Sequence, residues 1–276
     1  MKTDLHCHTT VSDGSMTPAQ LVAYAGRAGL DCIAVTDHDC LDGGIRAAGA
    51  AEEQHSRVKV IAGVELSTFD YKNGRRVHLL CYRPRRTKVL EEICRVTCES
   101  RLKAAIEMLE MISPRYPVDL ETVRAFSPGS SSVFKQHIAL ALMHMGYDIQ
   151  LYGSLFDSLF SRSHGMASVE PHYPETREVL EAAAGSGGVC VLAHPGVYRN
   201  FDVVAELCGL GLQGIEAQHP RQSAEDCARA AQAAAQKGLI PTGGSDFHGA
   251  YSKIVNPIGA RTAPDGTLER LEHLFL

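Results

Sequence analysis

Short apolar segments alternate with helical patterns along most of this chain, and nearly every apolar segment ends in a histidine or an acidic residue. The alternation predicts a mainly parallel sheet or barrel, in which the carboxyl ends of the strands meet at one mouth. Buried histidines and carboxylates are costly there unless they pair with each other or bind a metal. The predicted strands are residues 3–9, 31–36, 58–66, 76–82, 188–193, 213–217 and 239–244.

Helical patterns fill the intervals between these strands, and Thr17-Pro18 is a typical helix start with a threonine cap and a proline in the first turn. The alternation stops between residues 87 and 170, where helical patterns recur without a strand. We therefore predict an α/β fold, with residues 1–86 and 171–276 forming a seven-stranded barrel and 87–170 forming a helical insert that acts as a substrate lid. The predicted helices are Thr17–Ala28, Gly44–Gln54, Lys88–Ile112, Leu120–Phe126, Lys135–Met145, Pro174–Ala184, Phe201–Cys208 and Ala224–Lys237.

The composition is that of an ordinary globular protein of 276 residues. No apolar run approaches the roughly 20 residues that span a bilayer, and the first residues lack the apolar core of a signal peptide, so we expect a cytoplasmic protein without a membrane partner. The nine cysteines are odd in number and are interpreted mainly as small buried residues. The net charge of −5 argues against a protein that grips long nucleic acid duplexes.

The first apolar segment carries half of a metal site. His6 and His8 lie two residues apart, so on a strand both side chains point to one face, while Cys7 points to the other. Asp13 follows in a loop. Alone, the two histidines could equally be ordinary surface or core residues. The same residue types recur at the ends of, or within, the later predicted strands, namely His38, Glu65, His78, His194, Asp246 and His248.

These residues together indicate a metal cluster. The mixture of imidazole and carboxylate suits manganese, zinc or iron, and disfavours calcium. The ligands exceed what one ion needs, so we expect two or three divalent ions. Multi-metal sites are typical of phosphoester hydrolysis, where metals generate hydroxide and stabilise the attacking and leaving oxygens.

These motifs resemble the polymerase and histidinol phosphatase (PHP) family. The matching segments run in order from the first strand to the last: His6-Cys7-His8, Ser12-Asp13-Gly14, Thr36-Asp37-His38-Asp39, Gly63-Val64-Glu65, His78, Ala193-His194-Pro195 and Ser245-Asp246-Phe247-His248. The resemblance implies a distorted (β/α)7 barrel with manganese as the first candidate metal and zinc or iron as alternatives. It assigns His6, His8, Glu65 and Asp246 to one metal. It assigns Glu65, His78 and His194 to a second metal, and Asp13, His38 and His248 to a third.

Within the family, the chain resembles small members that hydrolyse nucleoside 3′,5′-bisphosphates. The resemblance implies removal of the 3′-phosphate, for example from adenosine 3′,5′-bisphosphate, by in-line attack of a metal-bridging hydroxide. Glu65 and Asp246 would act in catalysis as well as binding metal. Alternatives are 5′–3′ exoribonuclease action on short RNA, histidinol-phosphate hydrolysis and a non-catalytic module. The segment Lys135-Gln136-His137-Ile138-Ala139 departs from the family's Arg-Pro-His-Ile-Ala, which bears on substrate specificity.

The leaving oxygen needs a proton, and His219, just beyond the sixth predicted strand, is a candidate acid; the alternative is a loop histidine with no role. A second phosphate would need cations remote from the metals. We expect a small nucleotide partner, with short RNA as an alternative, and leave the oligomeric state open. The candidate substrate-binding residues are Lys135, His137, Arg162, Arg177 and Arg199.

Overall fold

The computed structural model describes residues 1–275. Seven strands form one sheet in which each strand pairs with the next in chain order. A parallel bridge between Cys7 and Phe247 joins the first strand to the segment after the last, so the sheet is a nearly closed barrel. This confirms the predicted α/β barrel. The strands are β1 (Thr3–Cys7), β2 (Cys32–Val35), β3 (Lys59–Asp70), β4 (Arg75–Tyr82), β5 (Val189–Leu192), β6 (Gly214–Gln218) and β7 (Ile240–Gly243).

The barrel is not wholly parallel, because β4 runs antiparallel to both β3 and β5. The residues between β3 and β4 form a short turn that ends in Asn73-Gly74. So short a connection can join only antiparallel strands, whereas a parallel pair needs a long crossover. The reversal of β4 is the main distortion of the barrel.

Eleven α-helices connect or follow the strands in the described residues. Thr17 caps α1 as predicted: its side chain accepts the N–H of Gln20, and Pro18 opens the helix. The helices are α1 (Pro18–Arg27), α2 (Asp42–Glu53), α3 (Lys88–Ile112), α4 (Leu120–Ala125), α5 (Lys135–His144), α6 (Ser154–Phe160), α7 (Thr176–Gly185), α8 (Pro195–Tyr198), α9 (Val204–Cys208), α10 (Ala224–Lys237) and α11 (Thr267–Glu272).

The chain divides into two compact units, Met1–Cys94 with Tyr173–Leu276, and Arg95–His172. In the first unit, the outward side chains of the strands pack against the helices; Cys7, for example, is fully buried beside Leu21 and Val22 of α1. The second unit is helical and has its own apolar core, which includes Met108, Ile138 and Leu159. Among the described residues, no helix is both long and apolar enough to cross a membrane.

Candidate metal centre

The nine predicted metal ligands come from separate segments of the barrel unit and meet at one mouth of the barrel. We call these residues the mouth cluster: His6, His8, Asp13, His38, Glu65, His78, His194, Asp246 and His248. His6 lies in β1 and His8 directly follows its last residue, Cys7, so the two side chains share a face as alternate residues on an extended segment do. Both rings are fully buried.

Glu65 lies at the centre of the mouth cluster and uses its two oxygens toward different partners. Its Oε2 lies 3.2 Å from Nε2 of both His6 and His8. Its Oε1 lies 2.7 Å from Nδ1 of His78 and 2.9 Å from Nε2 of His194. A carboxylate whose two oxygens face separate groups of imidazoles has the geometry to bridge two cations.

Asp246 completes the first of these groups, since its Oδ1 lies 3.5 Å from His6 Nε2 and 3.3 Å from His8 Nε2. Potential ligand atoms of His6, His8, Glu65 and Asp246 all lie within 4.8 Å of one another. The structure thus brings together the four residues that the family resemblance assigns to one metal.

Asp13 organises another group on the far side of His8. Its Oδ1 lies 3.3 Å from His248 Nε2, and its Oδ2 lies 3.9 Å from His38 Nε2. His8 also belongs to this group by distance, and His38 Nδ1 lies 3.1 Å from Glu65 Oε2. The groups therefore share members more extensively than the sequence assignment of one metal to each set implies.

The unpaired ligand atoms test whether metals fit these residues. Within the described part of the chain, Nε2 of His6, Nε2 of His8 and Oε2 of Glu65 are buried and have no hydrogen-bond partner, although the carboxylate oxygen lies 3.2 Å from each of the two nitrogens. Buried polar atoms left without a hydrogen bond are costly. A divalent cation between them would satisfy all three, so the residues fit a metal centre of the mixed imidazole and carboxylate type.

Histidines and carboxylates of opposite charge lie side by side in the mouth cluster and shift one another's pKa values. Burial alone would raise the pKa of Glu65, but the neighbouring His38 and His6 hold it well below its usual value. Burial lowers the pKa of His8, but the carboxylates of Asp246 and Glu65 outweigh that effect and raise it to about 10. Without metals, protons on histidines therefore balance the carboxylates, and cations would displace those protons.

Two further aspartates hold the loops that carry mouth-cluster residues. Asp37 accepts hydrogen bonds from the backbone N–H groups of Thr9 and Ser12, at 2.7 and 3.2 Å, and so fixes the loop that leads to Asp13. Asp4 accepts the N–H of Ser245 at 2.8 Å, next to Asp246. These buried carboxylates act on the backbone that presents the ligands.

The backbone itself is strained at two of the ligands. His194 has φ of 29° and Asp246 has φ of 52°, a left-handed conformation that side-chain-bearing residues rarely adopt. Such strain persists where the surrounding structure over-determines the conformation, and it is concentrated at functional sites. His194 lies two residues beyond the end of β5, and Asp246 lies three residues beyond the end of β7.

His219, the predicted acid, lies behind Asp246 and is fully buried. Its Nδ1 accepts the N–H of Arg221 at 3.1 Å, which leaves the ring proton on Nε2, 3.2 Å from Asp246 Oδ2. The ring therefore donates toward Asp246 and orients that carboxylate. The role of His219 as an acid stays a prediction.

The predicted substrate-binding residues fall into separate places. In the helical unit, Lys135 Nζ and Arg162 Nε both approach Glu170 Oε1, at 3.2 and 3.6 Å. His137 is buried, and its Nδ1 accepts the N–H of Phe134 at the start of α5.

In the barrel unit, Arg177 is exposed and pairs with Glu206 at 2.9 Å. Arg199 ends α8 in a left-handed conformation, and its carbonyl oxygen accepts a hydrogen bond from Arg75. Lys135, Arg162 and Arg177 take part in ion pairs, and His137 contacts the start of α5, so these residues have structural contacts of their own. The substrate-binding roles of all five residues stay predictions.

Glu216 was missed by the sequence analysis. It lies in β6 and is fully buried; its carboxylate contacts the ring of His6 and accepts a hydrogen bond from the backbone N–H of His194. Burial would raise the pKa of this carboxyl, but the charges of His6 and His219 hold it below its usual value. In the sequence, Glu216 stands out only as the one acidic residue inside the apolar segment Gly214–Gln218.

A family model described as PHP domain matches residues 4–240. The chain belongs to the PHP family. The match confirms the resemblance carried by the sequence motifs and covers every residue of the mouth cluster except Asp246 and His248. With its barrel and histidine–carboxylate groups, the protein is a PHP-family metal-dependent phosphoesterase, and thus a hydrolase.

Two PHP relatives have different named activities. The chain is 34% identical over 255 residues to phosphoribosyl 1,2-cyclic phosphate 1,2-diphosphodiesterase of Eggerthella lenta, covering 91% of this chain and 95% of the relative. It is 27% identical over 257 residues to 3′,5′-nucleoside bisphosphate phosphatase of Chromobacterium violaceum, covering 89% of this chain and 86% of the relative. The PHP family is therefore clear, while the relatives' names give more than one substrate.

A solved structure shares the whole fold. A protein from Bifidobacterium adolescentis, described as a metal-dependent phosphoesterase, has a TM-score of 0.90 at 29% identity, covering 99% of this chain and 96% of that one. The PHP barrel and the helical unit both have counterparts in it, since the coverage is nearly complete in both directions.

Proposed function

We propose that this protein hydrolyses a cyclic phosphate ester on a small phosphorylated ribose. The observation that carries the proposal is that the full mouth cluster occurs in a chain 34% identical, over 91% of its length, to a relative named for that activity. The 3′-phosphatase activity suggested by the sequence motifs becomes the second candidate.

The mouth cluster would hold two or three divalent cations, with manganese as the first candidate and zinc or iron as alternatives. When bound, such cations lower the pKa of water and withdraw charge from phosphate oxygens. The proposed ligand sets are His6, His8, Glu65 and Asp246 for one cation, Glu65, His78 and His194 for a second, and Asp13, His38 and His248 for a third.

The protein's own residues would orient the cluster and supply protons. Glu65 presents one oxygen to each of two imidazole groups, which fixes their spacing. Asp246 is held from behind by His219 at 3.2 Å. His219 is the proposed acid for the leaving oxygen, and the proton it would give up is the one on Nε2.

The second candidate is removal of the 3′-phosphate from nucleoside 3′,5′-bisphosphates. It is favoured by the similarity to the Chromobacterium violaceum relative and by the segment Lys135–Ala139, which resembles the family signature. In this reading Lys135 binds the phosphate that is not hydrolysed, as an ammonium point charge.

A substrate panel separates these candidates. Manganese-loaded protein is assayed for phosphate release and ester opening with ribose 1,2-cyclic phosphate 5-phosphate, adenosine 3′,5′-bisphosphate, histidinol phosphate and a 5′-phosphorylated dinucleotide. We expect the cyclic phosphate to have the highest kcat/KM. A higher value for the bisphosphate would replace the first candidate with the second, and turnover of none of the four would refute both.

A further inference from the structure

Glu216 contacts two mouth-cluster residues that lie on different strands. Its Oε1 lies 3.1 Å from Nδ1 of His6, and its Oε2 accepts the backbone N–H of His194 at 2.8 Å. The carboxylate is fully buried, so each of its oxygens needs a partner to offset the loss of water. The two contacts supply those partners.

Strand geometry explains why Glu216 points into the barrel. Its neighbours Ile215 and Ala217 pack outward in the apolar cluster that includes Ala230 and Ala234 of α10. Because successive side chains on a strand alternate faces, Glu216 points inward. An inward carboxylate in an otherwise apolar strand has little packing value, which favours a role in the site.

One reading makes Glu216 a metal ligand, since it forms a group with His6 and His219 whose potential ligand atoms lie within 4.8 Å. Both ring nitrogens of His219 already have partners, the Arg221 N–H and the Asp246 carboxylate. His6 would have to bind cations through both nitrogens and so lose both ring protons. The 3.1 Å separation between His6 and Glu216 suits a hydrogen bond instead.

We propose that Glu216 is a positioning residue for the metal centre. Its Oε1 keeps the ring proton of His6 on Nδ1, which leaves the lone pair of Nε2 facing Glu65 and Asp246. Its Oε2 fixes the backbone of His194 in the strained conformation that presents that ring. One carboxylate thereby sets the geometry of ligands to two cations, and this inference rests on the proposed metal function.

The proton position can be measured in the unaltered protein. In zinc-loaded, ¹⁵N-labelled protein, long-range ¹H–¹⁵N correlations report which nitrogen of His6 carries the proton. We expect a proton on Nδ1 and none on Nε2. A His6 ring whose Nδ1 has no proton would overturn the proposal and favour the metal-ligand reading of Glu216.

A variant tests the same role through metal affinity. In Glu216→Gln the amide oxygen can accept from His6 or His194 but the amide nitrogen only donates, so one contact is lost. We expect about 10- to 100-fold weaker zinc binding in competition with a chelator. The matched control is Glu225→Gln on the exposed surface of α10, which should bind zinc as the wild type does.

The possible results distinguish failure of the positioning role of Glu216 from failure of the proposed function. Unchanged zinc affinity in folded Glu216→Gln would overturn the positioning role. If that variant does not fold, the proton position of His6 in the wild type still decides. If the substrate panel shows no turnover while His6 and zinc affinity behave as expected, the positioning role stands and only the proposed function fails.

Discussion

The substitution Glu65→Gln tests the centre of the metal site. It keeps the shape of the side chain but removes its charge and one of its two ligand oxygens. In the structure that carboxylate lies within 3.2 Å of nitrogens on five imidazoles, those of His6, His8, His38, His78 and His194.

The size of the effect follows from the lost charge. Two unit charges about 4 Å apart attract by about 4 kcal/mol at an effective dielectric constant near 20. That energy corresponds to roughly a 1,000-fold change in affinity. A divalent cation beside Glu65 would lose at least this much, so we expect one or more cations to be absent from Glu65→Gln and turnover to be nearly abolished.

Metal content is measured by inductively coupled plasma mass spectrometry after loading with manganese and desalting, and turnover is measured on the best substrate of the panel. Glu53→Gln, an exposed substitution on α2, is the matched control and should retain both. Wild-type metal stoichiometry in Glu65→Gln would refute the bridging role.

Three further predictions concern the charges and loops around the site. The pKa of His8 is raised from 6.5 to about 10, so protonation of His8 should stabilise the metal-free protein fully below pH 6.5, and this stabilisation should be lost as the pH rises toward 10. Thermal unfolding across this pH range measures the effect, and a melting temperature that rises between pH 6.5 and 10 would contradict the prediction. Asp37→Ala leaves the buried backbone N–H groups of Thr9 and Ser12 without their acceptor, so it should lower the free energy of unfolding by about 3 kcal/mol. Urea titration measures this change, and a loss of less than about 1 kcal/mol would contradict the role of Asp37 in holding the loop. The sequence motif predicts that Lys135→Ala weakens bisphosphate turnover far more than aryl phosphate turnover, whereas equal losses would refute a remote-phosphate role. Glu170→Gln, which removes the ion-pair partner of Lys135, separates that role from loss of the pair.

The strands could be predicted from the sequence because each is a short apolar run that ends at polar residues. The antiparallel direction of β4 was not predicted, although the Asn73-Gly74 turn before it is a typical hairpin signal. Helix α6, Ser154–Phe160, was not predicted.

The mouth cluster was accessible from sequence because its residues recur at strand ends and match family motifs in order. Glu216 was not, since its partner His6 lies 210 residues away, and one acidic residue in a strand does not reveal which face it occupies. His8 and His38 each belong to two groups of potential metal ligands, and this depends on side-chain directions that sequence spacing alone does not give.

Anomalous diffraction from crystals of the manganese-loaded protein tests the metal centre most directly. We predict two or three anomalous peaks within the mouth cluster, with Glu65 contacting two of them. A loaded crystal with no peak among these residues, or with a single peak that does not touch Glu65, would contradict the account.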